Sequence, residues 1–224
     1  MEYIERYGSR VPQKKHGALT VVLVILVILL AAAAIVSWLA LSDPYAGRGL
    51  ENIRPSDSLQ QTFLKSALKK DESSFSKDEV NGYLAYLFQK NEVGKRTGTL
   101  QPQAIAVADA SGGNADFYIP VVFRGKRLGV SLNVTPSLDA SASRLLFRVN
   151  SVRVGRLSVP VGWALKKADG HFPKGFSRDG NTVFCAAPAL KASVGSVSVS
   201  FGLGEFRLEN GTLKLAGDAK ININ

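Results

Sequence analysis

The sequence predicts an α+β fold: a single N-terminal transmembrane helix, then a curved, mostly antiparallel sheet packed on two or three helices. Three observations predict it. Residues 17–42 carry no charge and are mostly apolar. Residues 58–90 place apolar side chains at helical spacing, and after Gly94 apolar and polar residues alternate with a period of two.

The uncharged run, Gly17 to Ser42, is the predicted transmembrane helix. About 20 apolar residues span a bilayer core, and a soluble helix is rarely apolar on every face. Trp38 suits the membrane interface. A cleaved signal peptide is the alternative, but its apolar region would be shorter, and the small residues Ala31–Ala34 lie inside the run rather than after it. We therefore predict an uncleaved anchor.

The flanks of this helix predict its orientation. Residues 1–16 hold four basic and two acidic side chains, whereas the far flank begins with Asp43. Basic residues favour the cytoplasmic side. The predicted organisation is a cytoplasmic basic tail (1–16), the transmembrane helix (17–42), a linker rich in Gly and Pro (43–56) and an extracytoplasmic α+β domain (57–224).

The net charge suggests a class of binding partner, and the cysteine content suggests a class of protein. The net charge is +10, and outside a membrane such a charge suggests anionic lipid headgroups or wall polymers rather than nucleic acid. Solubility alone is the other explanation. The single cysteine, Cys185, allows no intramolecular disulfide, which is typical of a bacterial envelope protein, Gram-positive in particular.

Three helices follow the linker. Ser58 to Lys70 has the spacing of a short amphipathic helix. Ser76 and Glu79 form a capping-box pattern, which predicts a helix over Lys77–Lys90. The stretch Val161 to Ala168 is predicted as a short helix with Trp163 and Leu165 facing inward.

The remaining chain predicts six or seven strands. Arg124 to Arg127 is a tight turn between two alternating runs, and Asn210-Gly211 closes a second hairpin. Asp169 to Asn181 is predicted as a loop because of its Gly, Pro and Asp content. Between these elements, Gly155 permits a bulge or sharp bend at a strand end, and Pro160 ends the pairing.

Two short motifs carry a family resemblance. They are Ser-x-x-Glu-Val-Asn-x-Tyr-Leu at 76–84 and the x-Val-Gly-x-Leu-x-Val-Pro turn at 153–160. Together with a short tail and one anchor, they resemble the YpmS-like proteins of Gram-positive bacteria, over most of residues 20–224. That resemblance implies an outline like tubular lipid-binding domains, with a helix lying in a curved antiparallel sheet, and it supplies no catalytic residues.

Catalytic patterns are weak. Ser66-x-x-Lys69 has the spacing of penicillin-interacting enzymes, but no Ser-x-Asn or Lys-Thr-Gly partner follows at a suitable place. His16 and His171 with Cys185 make no zinc set, and Cys185 is predicted to be buried and inert. We expect no enzyme, cofactor or metal.

The apolar side of the sheet is the candidate site. If the helices cover it fully, it is an ordinary core; if not, it forms a gutter for an acyl chain. We expect a membrane-anchored lipid-binding or lipid-handling module, with a scaffold or interaction subunit of a cell-envelope assembly, binding an envelope protein, as the alternative. The gutter candidates are Phe117, Ile119, Val121, Phe123, Val130, Leu132, Val134, Leu145, Phe147, Val149, Val197, Val199 and Phe201.

Overall fold

The computed structural model describes residues 16–92, 100–169, 172, 175–187, 190–194 and 197–223. For residues 16–23, 100, 190–194, 197–199 and 220–223 it describes the backbone alone. The chain divides into two compact units, Met1–Trp38 and Leu39–Asn224. Most of the predicted cytoplasmic tail therefore lies outside the described residues.

The described part of the chain contains four helices and twelve strands. The helices are α1 (His16–Leu41), α2 (Ser58–Lys69), α3 (Lys77–Lys90) and α4 (Val161–Ala168). The strands are β1 (Ser73–Phe75), β2 (Leu100–Pro102), β3 (Ala106–Ser111), β4 (Asn114–Phe123), β5 (Lys126–Asp139), β6 (Arg144–Val154), β7 (Leu157–Val159), β8 (Phe176–Asp179), β9 (Thr182–Ala186), β10 (Leu190–Val194), β11 (Val197–Glu209) and β12 (Thr212–Ile223).

The first unit is most of α1. This helix is long and apolar enough to cross a membrane, over the window Val24–Leu41. Its side chains from Val24 to Trp38 are exposed, as expected of a helix that is apolar on all faces. A helix of this composition is stable in hydrocarbon because its backbone groups are bonded to one another.

The second unit has the predicted α+β fold. Its antiparallel strands form a strongly curled half-barrel packed against the helices. Four strands pair in the order β1-β12-β11-β10. The other eight follow the path β2-β4-β5-β6-β9-β8, with β3 beside β4 and β7 beside β6.

Two apolar clusters hold this unit together. In the first, Leu59, Phe63 and Ala67 of α2 pack on Phe201 and Leu215 of the four-stranded sheet. In the second, Leu165 of α4 packs on the eight-stranded sheet, against Val134 of β5 and Val149 and Val152 of β6. Each helix thus covers a different sheet.

The predicted helices and hairpins are present. The capping box is complete, because the Ser76 hydroxyl accepts from the Glu79 N–H at 3.3 Å while the Glu79 carboxylate accepts from the Ser76 N–H at 2.8 Å. The Asn210-Gly211 turn has φ values of +49° and +77°, which suit a two-residue hairpin loop.

Four sequence predictions need correction. Trp163 does not face inward but is 58% exposed, because α4 turns Leu165 toward the sheet. The predicted loop at 169–181 contains β8. The strands number twelve in the described residues because several are only three to five residues long. Segment 43–56, predicted as a linker, belongs to the second unit and is hydrogen-bonded to it, with the Ser56 N–H donating to the Gly82 carbonyl at 2.9 Å.

A buried amide joins α3 to the larger sheet. The Asn81 side chain accepts from the Val107 N–H at 2.6 Å and donates to the Val107 carbonyl at 3.0 Å. Asn81 is 3% exposed, so neither group of Val107 has water as a substitute. The pairing of β3 with β4 shifts register directly after Val107. The amide therefore completes the bonding of the strand where the ladder is irregular.

Asn81→Ala should lower the free energy of unfolding by about 2–5 kcal/mol, since it leaves two buried backbone groups without partners. Asn91→Ala is the matched control. Its amide donates to the Leu87 carbonyl at an exposed helix end, and its loss should cost about 0.5 kcal/mol or less. Urea unfolding of the full chain in detergent, followed by circular dichroism, measures both. Equal losses for the two variants would contradict the assigned role of Asn81.

Candidate functional site

The turn between β6 and β7 contacts the end of the apolar helix. The last residues of α1, Leu39 to Leu41, belong to the second unit. The Arg156 N–H donates to the Leu39 carbonyl at 2.9 Å, and the Gly155 N–H donates to the Gly129 carbonyl of β5 at 2.7 Å. One of the carbonyls left unpaired at the end of a helix is thereby satisfied by the sheet.

Gly155 allows this approach in two ways. Its φ of +59° lies in the left-handed region that side chains disfavour. A Cβ atom at this position would lie 2.5 Å from the Leu39 carbonyl oxygen and would also collide with the Ala40 carbonyl. The bend predicted from the sequence is therefore the point where the sheet meets the last turn of α1.

The residues just after α1 extend the junction across the other face of the sheet. Asp43 accepts from the Tyr118 hydroxyl at 2.5 Å and from the Tyr45 N–H at 2.9 Å, and the two tyrosine rings lie 5.2 Å apart. Burial, and then the bond to Asp43, raises the pKa of Tyr118 to about 12. Tyr118 is therefore a neutral hydrogen-bond donor at physiological pH.

Ten of the predicted gutter residues share one face of the larger sheet. The register pairs Phe117 with Leu132 and Ile119 with Val130 across β4 and β5, and Val134 with Val149 across β5 and β6. Paired residues point to the same face. The ten are Phe117, Ile119, Val121, Phe123, Val130, Leu132, Val134, Leu145, Phe147 and Val149.

The other three are not brought to this face. Phe201 lies on the four-stranded sheet, where it is buried beneath α2 in the first cluster. Val197 and Val199 lie on the same strand, β11, and their side chains are outside the described residues. Phe201 is thus part of a closed core rather than of a gutter on the larger sheet.

The shared face has a covered part and an open part. Under α4, Phe117, Leu132 and Phe147 pack against the second cluster. Beyond α4, six half-buried apolar side chains belong to neither described cluster. We call them the proximal strip: Ile119, Phe123, Leu128, Val130, Val154 and Leu157.

The proximal strip lies at the end of the sheet that contacts α1. Val154 directly precedes Gly155, and its register partners are Val130 and Leu157. Leu128, Val154 and Leu157 were not among the predicted residues, although Leu128 and Val154 continue the alternation on their strands; Leu157 lies on β7, a strand that was not predicted. Within the described ranges, the apolar face is therefore buried under α4 and only half-buried near the junction with the last turn of α1.

The opposite face of the same strands is polar. Asp116, Ser131, Asn133, Ser151 and Arg153, with Tyr45 above them, line a cavity of about 120 Å³. The Asn133 amide donates to the Asp116 carboxylate at 2.6 Å. These are the polar residues that alternate with the apolar ones in the sequence. The sheet therefore has one polar face and one apolar face.

A second apolar groove was not predicted. It has a volume of about 290 Å³ and lies between segment 50–55, the last turns of α3 and residues 103–105. Leu50, Ile53, Phe88 and Ile105 line it, and none of the predicted gutter residues does. The sequence feature that could have indicated this groove is the pair Leu50 and Ile53, two large apolar residues in a stretch otherwise typical of a linker.

The residues considered for catalysis do not converge on one place. Ser66 is half-buried on α2 and Lys69 is exposed, and His171 lies outside the described residues. Cys185 is half-buried rather than fully buried, and burial raises the pKa of its thiol. Within the described ranges, no group of three or more His, Cys, Asp or Glu side chains could hold a metal ion.

Comparison with known proteins found no matching family model, no matching curated protein and no matching solved structure. The resemblance to YpmS-like proteins rests on the two short motifs and stays a prediction.

Gly155→Ala should destabilise the second unit more than Gly112→Ala, although both positions have nearly the same positive φ, +59° and +56°. Each variant should lose about 1–2 kcal/mol from the left-handed backbone. Gly155→Ala should lose about 1–3 kcal/mol more, because its Cβ meets the α1 backbone, whereas the Cβ at Gly112 meets open space. Thermal unfolding of the full chain in detergent measures the difference; equal melting temperatures would contradict the close contact.

Proposed function

We propose that this chain is a single-pass membrane protein whose second unit binds the acyl chain of a membrane lipid along the proximal strip. The observation that carries the proposal is the position of the strip. It is a half-buried apolar surface that belongs to neither described cluster, and it lies at the same end of the sheet that contacts the last turn of α1. A lipid partly withdrawn from the bilayer would meet this surface first.

The chemistry of the strip supports binding rather than catalysis. Its six members are Ile, Phe, Leu and Val side chains, which provide no nucleophile, acid or base. Apolar surface of this kind is unfavourable in water by about 25 cal/mol per Å² exposed, and an acyl chain laid on it would recover that energy. We therefore propose a non-catalytic lipid-handling module, in keeping with the suggested kinship to YpmS-like proteins.

Basic side chains near the proximal strip support the binding of a lipid with an anionic headgroup. Arg124 and Lys126 lie at the β4–β5 turn beside Phe123, and both are exposed. The guanidinium of Arg124 lies over the Phe123 ring, 5.4 Å from its centre, and Lys126 is the register partner of Phe123. The anionic headgroup of a lipid whose chain lies on the strip would find cationic partners there.

A phospholipid with a photoactivatable acyl chain should label the strip. With the full chain in liposomes, irradiation and peptide mass spectrometry should place adducts on β4, β5 and the β6–β7 turn. Val130→Asn should reduce the labelling, since it puts an amide at the centre of the strip. Val122→Asn is the control, because Val122 is half-buried on β4 but points to the opposite face.

Two results would overturn this placement. One is labelling that is confined to α1. The other is labelling that falls on Phe88 and Ile105 and is unaffected by Val130→Asn, which would move the lipid site to the groove beside α3.

The proposed topology has its own test. A C-terminal reporter that is active only outside the cytoplasm should be active, because the basic residues precede α1. Mass spectrometry of the intact protein should find residues 1–16 still attached. A mature chain beginning near Ser42 would instead indicate a cleaved signal peptide.

A further inference from the structure

Helix α4 presents a large apolar side chain on its outward face. Trp163 is 58% exposed, the highest value among the large apolar side chains in the described residues of the second unit, and Leu68 of α2 follows at 56%. Lys166 and Lys167 follow three and four residues later and are also exposed. At this spacing they flank Trp163 on one side of the helix, while Leu165 is buried on the other.

This combination suits a bilayer surface. Tryptophan favours the membrane interface, where its ring is in contact with the acyl boundary and its N–H with water and headgroups. Lysines beside it attract anionic headgroups. A short helix with an exposed tryptophan followed by lysines has the aromatic and basic side chains that are typical of interfacial amphipathic segments.

The acidic residue next to the lysines of α4 is paired with another side chain. The acid that follows the helix, Asp169, is paired with Arg178 through two bonds of 2.8 and 2.5 Å. This pairing lowers the pKa of Asp169, and the charge of Lys166 makes a smaller contribution to the shift. In the described part of the chain, Lys166, Lys167 and Arg156 have no ion pair.

The chain path places α4 close to the end of α1. The Arg156 N–H is bonded to the Leu39 carbonyl, and three residues of β7 separate that turn from Pro160. Three strand residues cover about 10 Å. The start of α4 therefore lies within about 10 Å of the last turn of α1, a distance comparable to the depth of the headgroup layer on each side of a bilayer core, about 5–8 Å.

We propose that the outward face of α4, formed by Trp163, Lys166 and Lys167, with Arg156 of the adjacent turn, docks on the anionic lipid surface of the bilayer that holds α1. This inference rests on the proposed membrane anchoring by α1, but not on lipid uptake by the proximal strip. Docking would fix the orientation of the sheet at the membrane and hold the strip against the lipid it is proposed to take.

The test uses Trp163 as its own reporter. The protein has two tryptophans, so Trp38→Phe leaves Trp163 as the sole one. This variant is placed, as the full chain, in nanodiscs of brominated phosphatidylcholine, with or without phosphatidylglycerol. Bromine in the acyl chains should quench Trp163 when phosphatidylglycerol is present, and acrylamide from the water should then quench it less.

Charge removal tests the proposed recognition. Lys166→Ala with Lys167→Ala should weaken the docking equilibrium about thirtyfold, taking the usual contribution of each lysine near an anionic surface. Lys65→Ala with Lys69→Ala is the control, since it removes two exposed charges from α2 and should leave quenching unchanged. Circular dichroism checks that both variants fold.

Quenching by brominated lipid that is equal with and without phosphatidylglycerol would overturn the proposal, as would a Trp163 that acrylamide quenches fully in both discs. Failure of anchoring would appear separately, as protein that does not elute with the nanodiscs. Failure of lipid uptake would appear only in the photolabelling of the strip.

Discussion

The rest of the second unit is arranged around one backbone contact, that of the Gly155–Arg156 turn with the last turn of α1. The hydrogen bond from Arg156 to Leu39 requires the two backbones to approach closely, and the approach requires a residue with no side chain. Val154 and Leu157 flank this glycine, so the contact also sets which end of the sheet carries the proximal strip.

The two faces of β4, β5 and β6 are covered by different segments. On one face, Asp43 and Tyr45 follow α1 and cover Tyr118 and the polar residues beside it. The other face receives α4, which covers only the part farther from the junction. The apolar side chains between α4 and the junction are consequently half-buried rather than enclosed, and on these residues the proposed lipid site depends.

Local patterns in the sequence predicted local structure well. The capping box at Ser76 fixed the start of α3, and the Asn210-Gly211 pair identified a hairpin, because both act through neighbouring residues. The inward orientation of both Trp163 and Leu165 was wrong, since residues two apart on a helix point to nearly opposite sides. Burial of Leu165 by the sheet left Trp163 outside.

The candidate site was predictable only in part, because alternation shows which residues of one strand share a face but not which sheet the strand joins. Ile119 and Val130 were therefore placed together correctly, whereas Phe201 belongs to a different core. The groove near Phe88 could not be predicted, since its walls come from three segments distant in sequence.

The packing of residues 43–56 has a mechanical consequence. A free segment of this length would behave as a tether with a span of roughly 20 Å, which would let the domain search the space beyond the membrane. Here Asp43 and Ser56, near its two ends, are hydrogen-bonded to the folded unit, so the segment is part of that unit and does not act as a free tether.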